Sequence, residues 1–264
     1  MNKIRTLSRR DFIQFIGGAT TAALLPSANS VFANTHNKIK GIAPSTKDEV
    51  LLADGLAYRV LISWGEIINE RGEKFGFNND YLNFVEIDNS PDDYLLWVNH
   101  EQTLLGYFTT PNRAAEKSRA DVDQECRDIG GSILRLKKIE GEWQFIKNDE
   151  YNRRIDALTP IPLVADRAIL EKTVVQGTLG NCAGGKTPWN TLLTCEENHH
   201  YVVGEIDFTK DEREYSFRAQ SGWQRFYDMP PEHYGWVVEV DPFTGAAKKH
   251  TSMGRFSHAS ATVV

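Results

Sequence analysis

Trp236-Val237-Val238-Glu239-Val240-Asp241-Pro242-Phe243-Thr244-Gly245 carries, in one short stretch, the pattern that recurs along this chain. An apolar, β-branched run meets a cluster of Asp, Pro, Thr and Gly. Such runs fit a pleated, half-buried surface, and the cluster supplies turn chemistry. Working outward, residues 58–64, 81–87, 94–98, 131–136, 143–146 and 191–195 repeat the theme. Turn signals recur at Asn78-Asn79-Asp80, Ser90-Pro91-Asp92-Asp93 and Glu140-Gly141. No strong helical repeat alternates with these runs, which predicts an antiparallel all-β body rather than an α/β fold. Two stretches differ. Residues 112–128 are highly charged with alanines and predict a surface loop or short helix. Residues 205–233 are mixed, with Trp223, Phe226 and Tyr227, and read as a second insertion between strands. There is no clean internal repeat, so periodicity alone does not reach a propeller.

The N-terminus has a different grammar. Lys3 and Arg5 precede Ser8-Arg9-Arg10-Asp11-Phe12-Ile13, and a moderately apolar run follows over residues 12–25. Val31-Phe32-Ala33 then offers a small-residue cleavage site. This predicts a twin-arginine signal peptide over residues 1–33, read by the twin-arginine translocase and cut after Ala33. The run falls short of the ~20 apolar residues a span needs, so no stable membrane anchor is expected. The expected location is exported, periplasmic or extracellular. Removing the segment takes away four basic and one acidic side chain, moving the formal charge from −6 to −9. That acidity argues against nucleic acid, whose binding rests on Lys and Arg neutralising phosphates.

Three cysteines, Cys126, Cys182 and Cys195, leave at least one without an intrachain partner. Cys182–Cys195 is a possible disulfide, and a thiolate metal ligand is the alternative. Cys126, in a charged stretch, is expected as a surface thiol.

The densest constellation spans residues 177–198. A flexible Gly/Asn loop is expected to lead into a short strand ending in Cys195-Glu196-Glu197. On a strand Cys195 and Glu197 face one way and Glu196 the other. A thiolate beside carboxylates suits a transition metal next to a hard cation. Lys186, on the Gly-rich loop, is placed to meet an anion as a point charge. Asn99-His100-Glu101 ends another strand, with oxygens suited to calcium. Asn152-Arg153-Arg154 offers guanidinium forks that match phosphate oxygens. Each has a plainer reading: solvated charges, a buried thiol, a turn cap. Residues 180–187 match the letters of a nucleotide-binding loop, but Pro188-Trp189-Asn190 leads into a strand-like run where that loop needs a helix. There is no Gly-x-Ser-x-Gly elbow and no His-Glu-x-x-His motif.

These segments, in order, resemble the PhoX-type alkaline phosphatases. The resemblance runs through Trp64-Gly65-Glu66, residues 75–80, Val98-Asn99-His100-Glu101, Gly130-Gly131-Ser132, Asn152-Arg153-Arg154-Ile155, residues 181–198, residues 234–242 and Gly254-Arg255-Phe256-Ser257-His258. Residues 187–198 are its most specific part. It implies a β-propeller enclosing iron and calcium that hydrolyses small phosphomonoesters. It implies a thiolate on iron, placed at Cys195, with carboxylate ligands at Glu196, Glu197 and Glu101. Lys186 and Arg154 are the implied phosphate contacts. Two departures bear on activity. Ala259 stands where the family typically has a glutamate ligand, and members are about twice as long, so residues 34–264 are expected as the N-terminal portion of an incomplete propeller. The alternative expectation is a truncated or degenerate, non-catalytic fragment that at most binds calcium or phosphate.

Overall fold

The computed structural model describes residues 40–103 and 114–264. The predicted signal peptide lies outside the described residues. Two compact units divide at residue 59, and the second, residues 60–264, holds every element below. It is mostly β with few helices. No helix among the described residues is long and apolar enough to cross a membrane.

The first sheet runs β1 (Asn79–Glu86), β2 (Asp93–His100), β3 (Gly130–Ile139), β4 (Glu142–Phe145), with β5 (Arg153–Ile155) also on β3. Its pairings are antiparallel. The second sheet takes β6 (Pro160–Val164), β7 (Val174–Gln176), β8 (Asn181–Lys186), β9 (Leu192–Glu196), β12 (Val237–Val240) and β13 (Ala247–His250), in the order β7-β6-β13-β12-β9-β8. There β13 and β6 pair in parallel, against the purely antiparallel expectation. A ribbon of β10 (Glu205–Ile206) and β11 (Tyr215–Phe217) stands apart. Among the described residues these sheets do not close into a barrel or ring.

The opening stretch folds as its residues dictate. Val237, Val238 and Val240 are buried. The Asp241 carboxylate accepts from Phe243 N at 2.9 Å, and Gly245 N donates to Asp241 O at 2.8 Å. That turn sends the chain back as β13. The inner faces of the two sheets meet in one core, where Val85, Leu95, Trp97, Ile133 and Ile155 of the first sheet pack with Ile161, Leu192, Val238 and Val240 of the second. Each large apolar side chain buried this way contributes about 1.5–3 kcal/mol.

Three expectations need correction. Residues 58–64 form no strand; Tyr58 and Val60 are exposed and only Ile62 packs on the core. The Gly/Asn stretch expected as a flexible loop is strand β8. Gly184 is there because strands approach closely: a Cβ on it would lie 1.9 Å from Leu193 O. A strand in place of loop-then-helix also disposes of the nucleotide-loop match. Cys126 is a core residue, not a surface thiol. It lies on α1 (Arg119–Asp128), whose Ser118–Asp121 capping box starts the helix. Val122 and Cys126, one turn apart, share its buried face.

Candidate metal centre

Strands β1 and β8 are edge strands of their sheets and lie against each other. Both ladders are irregular at corresponding places. The β1–β2 register shifts between Asn79 and Leu82, and the β8–β9 register between Asn181 and Gly184. A bulge re-aims a side chain out of the alternating pattern. Asp80 sits at the first irregularity and Cys182 at the second. With Glu101, just past the end of β2, they form a group whose ligand atoms all lie within 4.8 Å of one another. Asp80 is exposed, while Glu101 and Cys182 are half-buried.

The surroundings hold this group in place. The Asn99 amide donates to Cys182 O across the gap between the sheets. Asn99 Oδ1 in turn accepts from Trp97 Nε1 at 2.6 Å and Thr194 Oγ1 at 2.8 Å. Glu101 N donates to Asn78 O at 3.1 Å. Asn198 Nδ2 donates to Glu101 Oε1 at 2.6 Å and to Glu197 Oε2 at 3.2 Å. Burial pushes the Cys182 thiol up to about 12, reinforced by hydrogen bonds to the Glu197 and Asp80 carboxylates. One thiol and three carboxylates thus converge where the two sheets meet. A cavity of about 190 Å³ opens beside Glu101, lined also by Gln102, Gly180, Asn198 and Tyr201.

The sequence-predicted residues divide. Glu101 and Glu197 are at the group; Cys195, Glu196, Lys186 and Arg154 are not. Cys195 is fully buried in an apolar cluster with Leu193 and Val237, where desolvation pushes its thiol up to about 12. Glu196 points to the other face of β9, as strand alternation requires, and its carboxylate is buried against Lys249 at 2.7 Å. Lys186 is exposed at the far end of β8, about 13 Å along the strand from Cys182 at roughly 3.3 Å per residue. Arg154 is buried, its two terminal nitrogens donating to Ser132 Oγ at 2.7 Å and to the carbonyls of Arg127 and Ile129. It lines a separate cavity of about 360 Å³ with Arg71, Lys74, Arg127 and Asp128. The possible Cys182–Cys195 disulfide does not form, and all three cysteines are free.

Asp80 is what sequence reasoning missed, and Cys182 was left open between a disulfide and a thiolate ligand. Asp80 was legible only as a turn residue. Cys182 was inside the densest motif, but as a loop residue it had no face.

The donor set, a soft sulfur with hard carboxylate oxygens, fits a transition metal beside a hard cation. A family model for the alkaline phosphatase PhoX matches residues 37–264. The chain is also similar to the solved structure of Pseudomonas fluorescens PhoX in complex with vanadate, a transition state analogue, at 30% identity and a TM-score of 0.70. That match covers 83% of this chain and 45% of the other, so this chain spans less than half the length of that relative. None of the curated proteins matches.

Proposed function

The chain belongs to the PhoX alkaline phosphatase family, and from that premise we propose that it carries part of the metal centre of an exported phosphomonoesterase. The observation that carries the reading is the convergence of Asp80, Glu101 and Cys182 between the two sheets. In this reading the two sheets are neighbouring blades of a β-propeller, and the group lies where their edge strands meet. Iron and calcium are the proposed metals, with Cys182 as the sulfur ligand and Asp80, Glu101 and Glu197 as the oxygen ligands. When bound, such cations neutralise phosphoryl oxygens and activate the attacking oxygen. The protein's own part is placement. Asn99 holds the Cys182 backbone, and Asn198 orients the Glu101 and Glu197 carboxylates. Small phosphate esters are the proposed substrates. The motif at Arg9-Arg10 supports export by the twin-arginine translocase to the periplasm or beyond.

A second reading, a non-catalytic binder of calcium or phosphate, is favoured by Ala259. Its carbonyl accepts from Ala183 N at 2.8 Å, next to Cys182, so the position lacking the family's glutamate borders the group. The two readings separate on p-nitrophenyl phosphate hydrolysis by the full chain prepared with iron and calcium. The enzyme reading expects turnover that Cys182→Ala loses. Turnover no greater than that of Cys182→Ala, with metal still bound, leaves the binding reading. Export is checked by fractionating cells that express the chain with and without Arg9→Lys/Arg10→Lys.

A further inference from the structure

Lys249 and Glu196 form an ion pair with both side chains fully buried, 2.7 Å apart. A buried pair of this kind is weak as a stability device, because desolvating two charges offsets most of their attraction. Its contacts point to another role. Glu196 Oε1 also accepts from Leu179 N at 3.4 Å, and Oε2 from Trp236 N at 3.1 Å. Lys249 Nζ also donates to His233 O at 3.0 Å and lies 4.3 Å from the centre of the Tyr234 ring. The Tyr234 hydroxyl donates to Gln176 O at 2.6 Å. One pair therefore ties together residues 176–180, residues 233–236 and the end of β9.

From there the contacts lead to the candidate metal group. Gly180 O accepts from Glu197 N at 2.8 Å and Asn198 N at 3.4 Å. Gly180 has φ +65°, and a Cβ there would lie 2.7 Å from His199 N, so the crossing needs glycine. Asn198 then reaches Glu101, and Cys182 follows Gly180 by two residues. We propose that Lys249 and Glu196 are positioning residues of the metal centre: the pair clamps the residue 176–180 turn, which sets Cys182 and Glu197 at their distance from Glu101 and Asp80.

This rests on the metal reading above, and the test separates the two. Cobalt(II) titrated into the metal-free full chain reports the sulfur ligand through its thiolate charge-transfer band. Wild type is expected to give that band, and Cys182→Ala to lose it. Glu196→Gln/Lys249→Met buries no charge, so it is expected to melt near wild type. It nevertheless loses one acceptor oxygen and is expected to bind cobalt about ten-fold more weakly or worse. Lys117→Met/Glu125→Gln makes the same edit at a second buried Lys–Glu pair, 2.8 Å apart, and is expected to leave cobalt affinity unchanged. Tyr234→Phe keeps the ring over Lys249 and drops only the Gln176 bond. It covers the case in which the double variant does not fold, with an expected weakening of about three-fold. Wild-type affinity in a folded Glu196→Gln/Lys249→Met, or in Tyr234→Phe if the double variant fails, overturns the positioning role and leaves the metal reading standing. A wild-type protein without the thiolate band overturns the metal reading and this inference with it.

Discussion

The β8–β9 hairpin has two ends that look equally rich in sequence and do opposite things. At one end Cys182 sits in an irregular ladder, faces the neighbouring sheet and meets Asp80 and Glu101. At the other, Lys186 pairs regularly with Leu192, and residues 188–190 of the turn face solvent with Trp189 61% exposed. That second end is held by one carboxylate. Glu239 accepts from Trp189 Nε1 at 2.8 Å and Thr191 Oγ1 at 2.6 Å, and its other oxygen lies 2.7 Å from His250 Nε2. Where a carboxylate is satisfied by surrounding side chains, as Glu239 of β12 is by Trp189, Thr191 and His250, it braces a turn. Where a thiol and carboxylates meet one another beside a cavity, they make a candidate site. Motif density does not distinguish these cases; the chemistry of the partners does.

The sharpest way to break this contrast is to exchange the cysteines one at a time. Cys182→Ala is expected to weaken metal binding by about 100-fold or more. Cys195→Ala is expected to keep it and to cost about 1 kcal/mol in urea unfolding, as the loss of a small buried group. Equal effects of the two on cobalt titration would erase the distinction.

Next is the turn end. Burial alone would raise the Glu239 carboxyl, but its Thr191, Trp189, His250 and Lys248 contacts outweigh that and hold it at about 2, below its ordinary 4.5. The folded value is the lower one. Its contribution is therefore complete above pH 4.5 and lost as the pH falls from there through about 2. Glu239→Gln is expected to cost about 1–3 kcal/mol at neutral pH and to flatten the unfolding free energy across that window, with cobalt affinity unchanged.

A smaller effect is expected from Ala259→Glu. Its backbone is bonded to Ala183 beside Cys182, and an added carboxylate there is expected to tighten metal binding about ten-fold, worth roughly 1.4 kcal/mol. Isothermal titration would measure it. Smallest is Lys186→Ala, expected to change stability by less than about 0.5 kcal/mol and metal binding not at all, as for an exposed side chain remote from the group.

Much of the architecture was legible. The runs at residues 81–87, 94–98, 143–146, 191–195 and 236–240 correspond to β1, β2, β4, β9 and β12 within a residue or two, and the run at residues 131–136 to β3, which continues three residues further. Their apolar faces and turn residues act locally, so local reading finds them. Strand β8 was not legible because its glycines serve a close approach to Leu193 and to residue 261, partners that adjacent residues do not announce. The run at residues 58–64 shows the converse: strand-forming side chains make a strand only where the backbone has a partner, and this run pairs with no strand among the described residues.

The order of its motifs alone places this chain in a phosphatase family and marks residues 177–198 as the segment to watch, because turn chemistry, residue type and spacing are properties of the chain. Which cysteine faces the carboxylates was decided by the tertiary structure. A one-residue irregularity reverses the face a strand residue presents, and only the meeting of β1 with β8 brings Asp80 to Cys182. The same packing sent Glu196 into the protein to meet Lys249, because a carboxylate on the buried face of β9 is retained only with a charged, hydrogen-bonded partner.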